Sequence, residues 1–236
     1  MSFQSPGSRL YALCLSLFAA ALFTGLSGCS DIFKDKTTEG SIEYDVTYPG
    51  IGADNMMAAG LPDKATYKFK KESSITEFSG MMGLIRIAYI ADGAKRSAHQ
   101  TLNLIDQKYD SELNDGQIRQ MNKEFVTDAK MVGGTKEIAG YKCKKAEVTL
   151  NDGTKIEAWY TSDLGVENIN WCNPYSQIKG VMMEFQMQKY NVTMRLVAKT
   201  VTKDPVKDED FNVPADYKKI DIKEQNKILE DLNPVK

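Results

Sequence analysis

The chain has 236 residues, a formal net charge of −2 at pH 7, and acidic and basic residues mixed along its length. That length supports one domain with a real core plus extra segments. The near-neutral balance leaves no electrostatic footprint for nucleic acid, which is excluded as an expected partner.

Residues 1 to 28 stand apart from the rest of the chain. Arg9 is their only charged side chain, and "LYALCLSLFAAALFTGL", from Leu10 to Leu26, carries no acid or base. This reads as the n-region and h-region of an export signal. The run is at the short limit for a bilayer span and ends in small residues without a basic stop-transfer flank, so a cleaved signal is expected over a retained anchor. The closing residues, Leu26-Ser27-Gly28-Cys29, resemble the lipobox of bacterial lipoproteins. The resemblance implies cleavage before Cys29, lipidation of the Cys29 thiol and acylation of the new amine. With about 0.8 kcal/mol from each buried methylene, two or three acyl chains make a lasting anchor.

Cys29 to Glu39 form the lipidated tether, since "SDIFKDKTTEG" is polar and aperiodic. In the lipoprotein sorting rule that the resemblance brings with it, Ser30 after the modified cysteine implies the outer membrane. A periplasm-facing position is expected there, with the cell exterior as the alternative. Of the four cysteines, Cys14 leaves with the signal and Cys29 carries lipid, so Cys143 and Cys172 remain. An oxidising compartment favours a disulfide between them, and two buried free thiols are the alternative.

The body, residues 40 to 218, alternates with period two. "SIEYDVTY" sets Ile42, Tyr44, Val46 and Tyr48 on one face, and "ATYKFKK" does the same with Ala65, Tyr67 and Phe69. "GLIRIAYIA" is an apolar run that Asp92-Gly93 turns into "AKRSAHQTLNLI". In "AEVTLNDGTKIEAWYT", a two-residue turn at Asp152-Gly153 would set Val148 against Glu157. A three-residue loop, Asn151 to Gly153, pairs Val148 with Ile156 and Ala146 with Ala158, with Gly153 left-handed. "VMMEFQMQK" and "NVTMRLVAKTV" form a further pair, with Val181, Met183, Phe185 and Met187 inward opposite Val192, Met194, Leu196 and Ala198. Helical patterns are short: "DNMMAAG" after Asp54, "DGQIRQMNKEF" with Ile118, Met121 and Phe125 on one side, and a C-terminal helix in 219 to 236 opening on Asp221 and Glu224 as a capping box.

The expected fold is mainly β within the α+β class: a strongly twisted antiparallel sheet or half-barrel of roughly ten strands with a few short helices. In element order and envelope setting it resembles the LolA and LolB half-barrels of lipoprotein carriers, whose curved sheet encloses an apolar cavity. "IAGYKCKKAEV", "EAWYTSDLG" and "FNVPADYK" are similar to segments of uncharacterised bacterial lipoprotein domains.

Chemistry-bearing motifs are sparse. A single histidine, His99, removes histidine-rich metal sites and is expected to be a packing or surface residue. Ser176-Gln-Ile-Lys179 has the S-x-x-K spacing of acyl-serine enzymes without their companion motifs. Asp208, Glu209 and Asp210 read as a solvated loop. No nucleotide-binding or EF-hand pattern occurs, and no catalytic residue, metal or cofactor is assigned.

Methionine is the one enrichment: Met56, Met57, Met81, Met82, Met182, Met183, Met187 and Met194 fall in apolar segments. They are core gap-fillers, or a deformable surface for acyl chains, or, as a distant third, thioether ligands for copper. In a strand, one Met of each doublet should point away from the core, which favours the acyl-chain surface. The expected function is a non-enzymatic, membrane-anchored envelope lipoprotein that binds a hydrophobic or acylated ligand, a lipid or another lipoprotein, in the concave face of its sheet. Candidate ligand residues are Met57, Met82, Met183, Phe185, Met187 and Met194. The alternative is a structural lipoprotein contacting another envelope protein, with no ligand cavity.

Overall fold

The computed structural model describes residues 37–52 and 60–232. The expected export signal, the expected lipidation site Cys29, the helix expected after Asp54, and Met57 lie outside the described residues.

Six strands follow one another in the first half: β1 (Glu39–Thr47), β2 (Lys64–Lys70), β3 (Ser73–Gly80), β4 (Ile85–Asp92), β5 (Ser97–Leu104) and β6 (Gln107–Leu113). Helix α1 (Asp115–Lys123) separates them from β7 (Val126–Ile138), β8 (Tyr141–Leu150), β9 (Lys155–Thr161), β10 (Val181–Lys189) and β11 (Val192–Thr202). The two-residue β12 (Lys218–Lys219) and α2 (Ile222–Leu232) close the chain. All twelve strands join one open sheet in the order β12-β6-β5-β4-β3-β2-β1-β11-β10-β9-β8-β7. Two hairpin meanders are thus fused where β1 pairs antiparallel with β11. Among the described residues only the β12 to β6 pairing is parallel.

The mainly β expectation holds, with twelve strands in place of about ten. The additional ones have weak sequence signals: β7 is largely exposed, and β12 has two residues. As an edge strand, β7 has no second neighbour to demand an apolar face.

The expected register of β8 and β9 is observed, Val148 opposite Ile156 and Ala146 opposite Ala158. Leu150 N–H donates to the Thr154 carbonyl at 2.8 Å, which closes the three-residue loop, and Gly153 takes φ +83°. In the β10–β11 hairpin Met187 faces Met194 and Phe185 faces Leu196, again as expected. Its two-residue turn is Tyr190-Asn191, with φ 51° and 62°. A tyrosine there is unusual, because positive φ is uncommon for a bulky side chain.

Two main apolar clusters lie against the sheet. One gathers Ile42, Tyr44, Phe69, Leu164, Met183 and Leu196, and the other Phe125, Ala146, Val148, Tyr160, Tyr175 and Met182. The expectation that one Met of each doublet leaves the core fails at Met182-Met183, where both are buried. A register shift between Met182 and Glu184 against β9 interrupts the alternation, and each Met enters a different cluster.

On the opposite face of β3 and β4, Ile75, Ala88 and Ile90 are covered by Val206 and Phe211. The acidic run belongs to this covering segment: Asp208 pairs with Lys70 at 2.8 Å and Asp210 with Lys68 at 3.2 Å. Asp208 itself is largely exposed, so that pair orients the segment more than it stabilises it.

Both described helices are capped by local side chains. Asn114 and Gln117 form a reciprocal capping box at α1, and Asp221 Oδ1 accepts from Lys223 N–H at 2.8 Å at α2.

Candidate functional site

The larger of two apolar cavities, about 370 Å³, is walled by Phe78 of β3, Ile85, Ile87 and Tyr89 of β4, Met194 of β11, and Leu229 of α2. It follows from alternation. Phe78 lies opposite Ile87 across the β3–β4 ladder, so both chains meet on one face. Helix α2 brings Leu229 and Leu232, seven and ten residues along the apolar stripe begun at Ile222, to the same space.

A second cavity of about 130 Å³ lies between Tyr44, Tyr67, Met121, Tyr175, Phe185 and Met187. Its aromatic wall is built edge to face: Tyr44 and Tyr175 both meet Phe185, with ring centroids 5.7 and 5.5 Å apart. Both hydroxyls are spent on β10, Tyr44 donating to the Met182 carbonyl at 2.7 Å and Tyr175 to that of Gln186.

Lys189 and Tyr89 line both cavities. The Lys189 ammonium lies 5.2 Å from the centre of the Tyr89 ring, and no carboxylate pairs with it among the described residues. Burial holds its pKa down to about 8, against the more distant pull of Glu124. The same burial pushes the Tyr89 hydroxyl up to about 12. The neighbouring turn residue Tyr190 anchors the hairpin end: its hydroxyl accepts from Gln100 Nε2 at 2.9 Å on β5 and lies 3.4 Å from Asn226 Oδ1 on α2.

The sequence-nominated residues divide. Met194 lines the larger cavity and Phe185 and Met187 the smaller one. Met183 is wholly buried in the first core cluster and touches neither, so its assignment to a ligand surface is corrected by the same register shift in β10. Met82 is also corrected: it sits fully exposed on the turn between β3 and β4 with φ 55°, and its neighbour Met81 reaches the cavity instead.

The expected disulfide is absent. Cys143 and Cys172 are both free. Cys143 is packed on β8 in the first core cluster, whereas Cys172 lies beside the separate cluster of Ala98, Leu113 and Ile118. Burial pushes their thiols up to about 11 and about 12. His99 and Cys172 both line the smaller cavity, yet His99 Nδ1 is 2.9 Å from Asp110 Oδ1 and no hydrogen bond joins it to the thiol. A thiol raised in pKa and lacking a base is a poor nucleophile. Ser176 and Lys179 are exposed on the loop before β10, and among the described residues no group of His, Cys, Asp and Glu is placed to hold a metal ion.

Sequence reasoning missed Lys189, Tyr89 and the α2 leucines. Lys189 ends a strand and reads as a solvated charge; its partner in the hairpin turn, a tyrosine where glycine or asparagine is usual, was the available signal.

A protein-family model described as "N-glycanase peptide, N-terminal domain" matches residues 111–171. Two solved structures titled for PNGF-II, in the P21 and C2 space groups, align with TM-scores of 0.54 and 0.51 at 14% and 16% identity. The chain shares its fold with PNGF-II. These alignments cover 81% and 84% of this chain but 33% of each PNGF-II chain, so the chain spans about a third of PNGF-II's length. No curated protein sequence matches. The expectation of a non-enzymatic chain is overturned: the matching domain model is named for an N-glycanase, an enzyme, and the PNGF-II fold accompanies it. The match is to a model of an N-terminal domain and covers residues 111–171 of the 236. No helix among the described residues is long and apolar enough to cross a membrane.

Proposed function

We propose that the chain is a lipid-anchored protein of the bacterial envelope whose domain takes a hydrophobic or acylated ligand into the larger cavity. The observation that carries this reading is the cavity itself, about 370 Å³ with walls almost wholly of aromatic, aliphatic and methionine side chains. Ligand sites commonly occupy about 300–1,000 Å³ and are mostly apolar with a few placed polar groups. Phe78, Ile87 and Met194 come from strands on both sides of β1 and β2, which calls for a sheet that curls as a half-barrel does. The cavity favours this reading over a purely structural partner whose interior is filled by its own side chains.

Lipid is the test material. Protein purified from its membrane, extracted with organic solvent and weighed by native mass spectrometry, is expected to carry an amphiphile in stoichiometric amount. Ile87→Trp, which fills the cavity, is expected to lose it. An empty wild-type protein, or equal recovery from both, would sink the ligand reading. Anchoring has its own test: fatty-acid labelling in cells should vanish in Cys29→Ala and persist in Cys143→Ala.

A second reading is favoured by the match over residues 111–171: the domain serves an N-glycanase as a companion module. Release of glycan from an N-glycosylated peptide, assayed with the full chain, is its direct test.

A further inference from the structure

The cavity walls ask for a hydrocarbon, and their polar end asks for a particular head group. Lys189 sits where the two cavities adjoin, with its ammonium over the Tyr89 ring and no carboxylate partner among the described residues. An ammonium held among apolar walls without a counter-ion is costly unless an anion arrives. The other groups facing this end leave the charge uncompensated. The Tyr89 and Tyr190 hydroxyls are held neutral by burial, while Glu124 at the end of α1 is exposed and bonded to Gln120, and Glu230 on α2 is also exposed.

The geometry is also fixed in advance. Asn191 and Tyr190 hold a tight turn with positive φ, and the Tyr190 hydroxyl is tied to Gln100 on β5 and to Asn226 on α2. The end of β10 that bears Lys189 is therefore pinned to the sheet and the helix that wall the cavity.

We propose that the larger cavity is a site for a single-chain amphiphilic carboxylate, a fatty-acid-like anion whose hydrocarbon lies along Phe78, Ile87 and Met194 and whose carboxylate pairs with Lys189. This rests on the ligand reading above and adds the head-group chemistry to it. The size selects one chain: about 370 Å³ lies at the low end of ligand sites, which run to about 1,000 Å³, and a diacyl lipid would need the upper part of that range. The lysine selects an anion over an alcohol or ester. The lowered ammonium pKa fits the absence of a counter-ion in the ligand-free protein.

The test uses the full chain held in phosphatidylcholine nanodiscs, with empty nanodiscs as the blank. Dodecanoate labelled with carbon-13 at its carboxyl is the charged probe and dodecan-1-ol the neutral one. Both are expected to bind, dodecanoate more tightly. Lys189→Met should weaken dodecanoate by about tenfold or more, the size expected for one charge-assisted contact, and leave dodecan-1-ol unchanged. Lys189→Arg should restore most of the loss, with the carboxyl carbon-13 shift returning towards its wild-type bound position. Retained dodecan-1-ol binding shows that the variants fold. Equal affinity of wild type for the two probes, or an equal loss of both in Lys189→Met, overturns the head-group assignment while the cavity reading stands. Binding of neither probe to the wild type overturns both.

Discussion

At the scale of single residues, two charges carry opposite lessons. Lys189 is a cation placed where the folded protein does not compensate it, and its pKa of about 8 lies below that of an unfolded lysine. Below pH 8 both folded and unfolded chains hold the proton, and the full cost of the buried charge is present. Between about pH 8 and 10.5 the unfolded chain binds more protons, so this residue's contribution to stability rises with pH across that window. Lys189→Met is therefore expected to stabilise the ligand-free protein at pH 7 by about 1–2 kcal/mol, discounted for partial exposure, with the gain shrinking towards pH 10. Urea melts at the two pH values check it.

Glu184 is the reverse case. Burial pushes its carboxyl pKa up, but Lys136 and Arg195 bracket it and together hold it below the usual carboxylate range. Its stabilisation is complete above the unfolded value near 4.5 and is lost as pH falls through the lower folded value. Glu184→Gln should cost about 2 kcal/mol at pH 7, a deficit that narrows by pH 3 in the same melts. Buried Cys143 should resist alkylation in the native protein, half-buried Cys172 should react slowly, and both should react fully once it is unfolded without reductant, because free thiols are protected by packing alone. A pair that stays unreactive after unfolding would mean a bridge.

At the scale of elements, backbone geometry separates two glycines that look alike in sequence. Gly153 has φ +83° in the β8–β9 loop, and an added Cβ would meet nothing within 4 Å. Gly180, with φ +132° just before β10, would press a Cβ to 2.5 Å from the Thr161 carbonyl oxygen of β9. Gly153→Ala should cost about 1 kcal/mol of conformational strain. Gly180→Ala adds a backbone collision at the point where β10 enters the sheet, and about 2–4 kcal/mol is expected. Thermal melts of the two variants, read side by side, test that ranking.

Register was legible where loop parity could be worked out from the apolar faces, as in β8–β9 and β10–β11. Strands without an apolar face were not. Thus β7, with Met131 and Val132 exposed and a glycine pair in the middle, escapes a reading based on burial. The shift at Met182 escapes it too, because a bulge is decided by the neighbouring strand and leaves no mark in the alternation of its own.

At the scale of the whole molecule, the sheet is assembled from two meanders that the chain writes one after the other, and β1 joins them although its partner β11 lies more than a hundred residues away. That pairing brings β11 to the cavity that β3 and β4 wall from the other side. Burial against β1 requires small, well-fitted partners: Tyr44 is flanked by Ala65 and Ala198.

By itself the sequence determined the mainly β class, the inward faces of β1, β2, β10 and β11, and the turn that sets β8 against β9, because alternation and loop chemistry are local properties of the chain. It also marked Cys29 as the expected point of attachment. Only the tertiary structure decided which methionines meet open space and which fill the core, that Cys143 and Cys172 stay apart, and that a lysine at a hairpin end loses its solvent. Those outcomes depend on long-range pairing and on the local shift in β10, and the electrostatic cost of a charge is set by what folds around it.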